Sequence, residues 1–152
     1  MLDPLPATFD VREAERNFLA TCTPGNRRRL LDAFSKVEAA GLDRHSNDNV
    51  VIVDLDGSKA HWMRGVSPCL TRSRAAVGFY LPARGRRMTL PERLRLQGIP
   101  QEVLKRRRGI SDRQLGMMVG NALSVNVLER LLVRILRASG LRMHLRDRWV
   151  RK

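Results

Sequence analysis

A chain of 152 residues with 43% hydrophobic content is long enough for one domain with its own core, and 5% aromatics exclude a base-stacking platform for single-stranded nucleic acid. Its net charge of +14 is unevenly spread: residues 1–60 hold 8 basic and 10 acidic side chains, net −2, whereas residues 61–152 hold 21 and 5, net +16. Only Lys105 and Lys152 among those 21 cations are Lys, and Arg suits bidentate phosphate contact, so a polyanion, most simply nucleic acid, is expected ahead of an anionic membrane or a solvated basic surface.

Residues 1–8 are Pro-rich and expected to be poorly ordered. Val11, Ala14, Phe18 and Leu19 fall near helical spacing, giving a short amphipathic helix over 9–21. Thr23-Pro24-Gly25-Asn26 starts a second helix with Leu30, Leu31, Phe34, Val37 and Glu38 marking its two faces, ending at Gly41. Arg27, Arg28 and Arg29 in its first turn oppose the helix dipole; they fit either phosphate contact or a solvated run. After a polar loop, residues 50–55 are apolar on both faces, the pattern of a buried strand. Asp54 and Asp56 at its end have no third ligand nearby in sequence, so solvated strand-end carboxylates are expected. Residues 58–66 are expected as loop, with Trp62 packing.

Residues 68–74 and 77–81 have the composition of two further short strands. Thr89 is then a good N-cap, Pro91 sits where a missing N–H costs nothing, and Glu92 completes a capping box. The helix it opens turns Leu90, Leu94 and Ile99 to a core and Arg93 and Arg95 away from it, and Gly98 followed by Pro100 stops it after about two turns. A short helix over 101–104 leads to Lys105, Arg106, Arg107 and Arg108, a basic break that suits a phosphate clamp, a nuclear-import signal or a solvated turn. Ser111 caps a helix with Leu115 and Met118 facing inward, ending at Gly120. A last helix from about Leu123 carries Val127, Leu128, Leu131, Leu132, Ile135 and Leu136 as a broad apolar stripe, with Glu129, Arg130, Arg134 and Arg137 opposite. The tail from 141 is basic, and suits a non-specific DNA-facing arm.

Cys22 and Cys69 show no metal or disulfide pattern, and His45, His61 and His144 are scattered. No apolar run approaches the roughly 20 residues of a membrane span, and the acidic N-terminal stretch has no leader-like core. A soluble, intracellular protein is expected: nuclear if eukaryotic, in the cytoplasm or nucleoid if prokaryotic.

The segment Arg86-x-x-Thr89-x-x-Glu92-x-x-x-Leu96-Gln97-Gly98-Ile99-Pro100 resembles the ninth conserved motif of the DNA (cytosine-5) methyltransferases. Pro68-Cys69-Leu70-Thr71 and Gly78-Phe79-Tyr80-Leu81 before it, and Gly120-Asn121-Ala122-Leu123-Ser124-Val125 after it, are similar to the family's flanking segments in the same order. The last resembles its tenth motif. The resemblance is clear over 68–136, with 50–64 a loose lead-in from the target-recognition region. It implies structural duties for Arg86, Thr89, Glu92, Gln97 and Gly98. It also implies that Gly120, Asn121 and Ala122 help line the methionine end of an S-adenosylmethionine pocket, where the residues alone indicate only a helix break and cap. Met117-Met118 stand where the family usually has polar residues before that turn.

The family's chemistry needs a cysteine thiolate that adds to the ring, a carboxylic acid on the base, and a cofactor fold. The Pro-Cys-Gln, Glu-Asn-Val and Phe-x-Gly-x-Gly segments that supply them are absent: no two of the 11 glycines are separated by one residue, and no Glu precedes Asn. Cys69 follows a Pro but is followed by Leu-Thr, at the wrong place in the motif order, so it is expected to be a small strand residue. Arg72-Ser73-Arg74 imitates the family's base-orienting Arg-x-Arg pair, again out of order. No catalytic residue and no metal ligand is expected.

The resulting expectation is an α+β chain that is the C-terminal remnant of an α/β S-adenosylmethionine-dependent methyltransferase, truncated or one half of a split enzyme. It would comprise an N-terminal helical segment (1–49), a methyltransferase-like region (50–140) and a basic tail (141–152). Expected partners are double-stranded DNA, through Arg72, Arg74 and Lys105, Arg106, Arg107 and Arg108, and a second chain carrying the catalytic motifs. The alternative is a non-catalytic DNA-binding or regulatory protein derived from such an enzyme.

Overall fold

Val51–Asp54 (β1) is buried along its whole length because both faces of its sheet are covered. The computed structural model describes residues 2–55, 61–73, 78–106, 108–141 and 144–147. In these, β1 pairs antiparallel with His61–Arg64 (β2) and with Phe79–Leu81 (β3), and β3 pairs with Arg86–Arg87 (β4), giving the order β2-β1-β3-β4. The helices are Val11–Thr21 (α1), Pro24–Ala39 (α2), Leu90–Leu96 (α3), Glu102–Arg106 (α4), Asp112–Asn121 (α5) and Val125–Ala138 (α6). The mixed architecture is α+β, as composition and periodicity indicated.

Alternation along β1 divides the core. Val51, Val53 and Leu55 join Tyr80 on one face and pack against Leu30, Ala33, Phe34 and Val37 of α2. Ile52, Phe79, Leu81 and Met88 form the second core on the opposite face, to which Leu2, Val50, Leu70 and Leu96 add. A third core, of Leu94, Leu115 and Val119, joins α3 to α5 and shares Leu70 with the second. Phe18 of α1 lies on Tyr80 with ring centroids 4.7 Å apart, so both N-terminal helices close on the first face.

Local signals set the helix starts. Asp10 accepts hydrogen bonds from the Arg12 and Glu13 N–H groups, and Thr23 caps α2 ahead of Pro24. Leu31, assigned to a face of α2 by spacing, is 47% exposed, and Ala33 is the buried neighbour instead. α1 reaches the sheet by way of the turn Pro82–Arg84 and Gly85. Gly85 has φ +56, and a Cβ there would lie 2.6 Å from Ala14 Cβ and 3.0 Å from the Glu15 N.

Several expectations are corrected. The loop expected over 58–66 contains β2, which exists through its ladder to β1 rather than through its own composition. Residues 68–73 form no strand among the described residues, and 74–77 lie outside them. Asp54 is only 4% exposed, not solvated, because β1 is covered from both sides at that point. Met118 is 55% exposed, while Gly116 and Val119 turn inward on α5. Asp56, Arg74, Arg107 and the tail residues Arg142, Arg148, Arg151 and Lys152 lie outside the described residues.

Gly85→Ala is expected to destabilise the fold, since a left-handed L-residue costs roughly 1–2 kcal/mol and the added methyl also meets α1. Urea titration should show a lower midpoint with little change in slope. An unchanged midpoint would mean that α1 yields without cost.

Candidate functional site

α3 is the element around which Arg86, Thr89, Glu92 and Gln97 assemble, and its first turn is specified by hydrogen bonds. Thr89 Oγ1 accepts the Glu92 N–H at 3.3 Å while Glu92 Oε2 accepts the Thr89 N–H at 2.8 Å, closing the capping box. Arg86 then donates from both terminal nitrogens to the two Glu92 oxygens, each at 2.9 Å. The Asp3 N–H gives Glu92 Oε1 a further donor at 3.1 Å, and the Asp3 carboxylate pairs with Arg95. Glu92 has no exposed surface. Burial by itself would raise its pKa, but the Arg86 bonds and the Thr89 and Asp3 N–H groups outweigh it and hold the carboxyl at about 2.

The far end of α3 meets the junction of α5 and α6. Gln97 is 6% exposed; its Nε2 donates to the Val119 and Ala122 carbonyls at 3.2 and 3.3 Å. Its Oε1 accepts from the Ser124 hydroxyl, and its backbone carbonyl accepts the Val125 N–H at 2.7 Å. Gly98, at φ +68, ends the helix where a Cβ would stand 3.2 Å from the Asn126 N.

Gly120 has a second steric duty. A Cβ there would lie 2.4 Å from the Thr71 carbonyl carbon and 2.6 Å from the Arg72 N, so α5 crosses the 71–72 backbone at a distance only glycine allows. Asn121 is exposed at the end of α5 and Ala122 half-buried at its cap. These three residues offer an open edge with an exposed amide. The inner side of Gly120 is already filled by protein. An apolar groove lined by Leu2, Val50, Ile52, Val66, Met88 and Leu96 lies against the second core, and Gly120, Asn121 and Ala122 do not line it.

Of the basic residues singled out by sequence, Arg72 is exposed beside Gly120. Lys105 and Arg108 are exposed at and after α4; Arg106 lies in α4, with its side chain outside the described residues. Arg93 is not turned away from the core as spacing indicated. It lies half-buried beside Leu70, Thr71, Phe79 and Gly120, and burial, followed by the nearby Arg87 charge, lowers its pKa. Cys69 is exposed, its thiol 3.9 Å from the Leu70 carbonyl. Among the described residues no group of three His, Cys, Asp or Glu is placed to hold a metal.

Sequence reasoning missed a buried cluster on the other face of the sheet. Glu15, 6% exposed, accepts from Arg44 at 3.0 and 3.3 Å and lies 3.1 Å from His45 Nε2, while the Arg44 guanidinium also stacks 4.7 Å from the Phe34 ring centroid. The Tyr80 hydroxyl is buried without a hydrogen-bond partner, and burial raises its pKa. No spacing rule links residues 15, 44 and 80, so only packing reveals the group.

The class defined by this geometry is an α+β chain whose capped helix α3 organises both an antiparallel sheet and a downstream helix pair. The C-5 cytosine-specific DNA methylase family matches over residues 26–137, from the start of α2 almost to the end of α6. The chain belongs to that family, whose substrate is DNA and whose members generally use S-adenosylmethionine. Neither a curated protein nor a solved structure matches it. No helix among the described residues is long and apolar enough to cross a membrane.

Glu92 makes acid stability a test of the α3 network. A carboxyl held at about 2 against an ordinary 4.5 contributes stability that is fully present above pH 4.5 and lost as pH falls towards 2. At about 1.4 kcal/mol per pKa unit this amounts to roughly 3 kcal/mol. Denaturation midpoints measured across this range should fall steeply for the wild type and be lower but flatter for Glu92→Gln. Equal slopes for the two proteins would remove Glu92 as the source.

Proposed function

We propose that this chain is the C-terminal segment of a DNA (cytosine-5) methyltransferase, carrying the ninth and tenth motifs, contributing DNA recognition and one edge of the S-adenosylmethionine pocket, and inactive by itself. The observation that carries this reading is α6. It contributes no buried residue, and Val127, Leu128, Leu131, Leu132 and Ile135 are 39–57% exposed along one face. Burying side chains of this size is worth on the order of 1.5–3 kcal/mol each, so a face of five left open is a large unclaimed binding surface. A second chain holding the missing Pro-Cys-Gln, Glu-Asn-Val and Phe-x-Gly-x-Gly segments is the partner that this surface and the family membership together call for.

In this reading the thiolate and the acid come from the partner chain. Arg86, Thr89, Glu92, Gln97 and Gly98 hold α3 and its neighbours in place. Asn121 and Ala122, following the close crossing at Gly120, meet the methionine end of the cofactor. When bound, S-adenosylmethionine supplies the methyl group. Arg72, Arg74, Lys105, Arg106, Arg107 and Arg108 take the DNA phosphates; such contacts position a duplex without reading its sequence.

Incubated alone with labelled S-adenosylmethionine and cytosine-containing duplex, the chain is expected to transfer no label. Mixed with a chain carrying the three missing segments it should restore transfer, and Leu128→Glu/Leu132→Glu should abolish that restoration while leaving the melt of the isolated chain nearly unchanged. Label transfer by the chain alone, lost in Cys69→Ser, would overturn the reading.

DNA affinity should fall ~10-fold or more between low and physiological salt through counterion release. It should also fall in Arg72→Glu/Lys105→Glu. Salt-dependent binding without any complementation would instead favour a non-catalytic DNA-binding protein derived from such an enzyme.

A further inference from the structure

We infer that Gln97 is the positioning residue for α6: a buried latch that sets the angle at which this helix leaves the body of the protein. The inference rests on the reading that α6 presents its apolar face to a partner chain.

α6 has no share in any of the three cores, whose residues come from the sheet, α2, α3 and α5 together with their partly buried neighbours. Arg130 pairs with Asp147 and Arg137 donates to the Leu145 carbonyl, both in the C-terminal segment. A helix with no fully buried residue takes its direction largely from its first turn and the residues before it. Apart from the Ala122 N–H, which closes the end of α5 on the Val119 carbonyl, the hydrogen bonds between residues 122–125 and the body converge on Gln97 among the described residues: Ala122 by its carbonyl, Ser124 by its hydroxyl and Val125 by its N–H.

The geometry uses the whole amide group. The Nε2 donors span the last turn of α5, at Val119, and the cap after it, at Ala122, while Oε1 takes Ser124 at the N-cap of α6. One side chain therefore ties the end of one helix to the start of the next, and the backbone carbonyl of the same residue adds Val125. Ser124 itself gives α6 no side-chain cap, because its hydroxyl is directed to Gln97 instead. Gly98 next to it lets the Asn126 backbone approach closely. A residue serving only to fill space would need neither donors nor acceptor at this point; Gln97 spends both, and on opposite sides of the joint.

The test is a distance measurement on the isolated chain, so it stands apart from any failure of complementation. Spin labels at Ser35→Cys on α2 and Arg134→Cys on α6, in a Cys22→Ala/Cys69→Ser background, report the angle of α6 by pulsed electron spin resonance. A single narrow distance is expected with Gln97. Gln97→Met, similar in length but without the amide, should lose the narrow peak and give a broad distribution, with the circular dichroism of the folded chain retained. Ser124→Ala, which removes one bond of the latch from the α6 side, should broaden it less, and decides the matter if Gln97→Met does not fold. A peak that stays narrow in folded Gln97→Met, or in Ser124→Ala when the first variant is unfolded, overturns the inference, even if stability has fallen. A broad distribution with Gln97 intact overturns it as well.

Discussion

Glu92 is a carboxylate with no exposed surface, surrounded by four N–H donors: two from Arg86 and one each from the backbones of Thr89 and Asp3. A buried charge survives only when its lost hydration is replaced, and removing one partner of such a pair commonly costs about 3–5 kcal/mol. That requirement forces three parts of the chain together. Arg86 belongs to β4, Thr89 starts α3, and Asp3 lies more than eighty residues away in sequence, so one carboxylate joins the N-terminal segment, the sheet edge and the helix. Its depressed pKa is the titration signature of that arrangement.

From this fixed start α3 carries the constraint to its other end. Its seven residues end at Gln97 and Gly98, where the joint between α5 and α6 is held. Glycine stands at the close approaches: at Gly120 a Cβ would collide with the Thr71 and Arg72 backbone, and at Gly98, with φ +68, it would press on the Asn126 N at 3.2 Å. Polar specification at both ends and close backbone crossings make α3 a strut between the sheet and the C-terminal helices. Leu94 supplies the apolar part of the same contact in the third core.

The consequence is a body with a core on each sheet face and one helix left outside those cores. α6 is amphipathic, with arginines along one side, yet its apolar side faces outward. The chain belongs to the C-5 cytosine-specific DNA methylase family, and its sequence contains no Pro-Cys-Gln, Glu-Asn-Val or Phe-x-Gly-x-Gly segment. The three cores are built from residues that precede Ser124, and α6 adds no buried residue to them.

The sequence by itself determined the local features, because each is decided within a few residues: the caps at Thr23, Thr89 and Ser111, the stop at Gly98, the buried strand β1 and the apolar period of α6. The motif spacing likewise marked Arg86, Thr89, Glu92 and Gln97 as belonging together. What it left undetermined was decided by contacts between distant segments. β2 exists because β1 offers it a ladder, and residues 68–73, expected as a strand, have none among the described residues. Met118 turns out because Gly116 and Val119 fit the close crossing, and Arg93 turns in beside it. The Glu15, Arg44 and His45 cluster, the bond of Asp3 to Glu92 and the grip of Gln97 on the start of α6 join groups from 27 to 89 residues apart. No periodicity carries such pairs, since they are selected by the shape of the folded backbone, and only the tertiary structure could decide them.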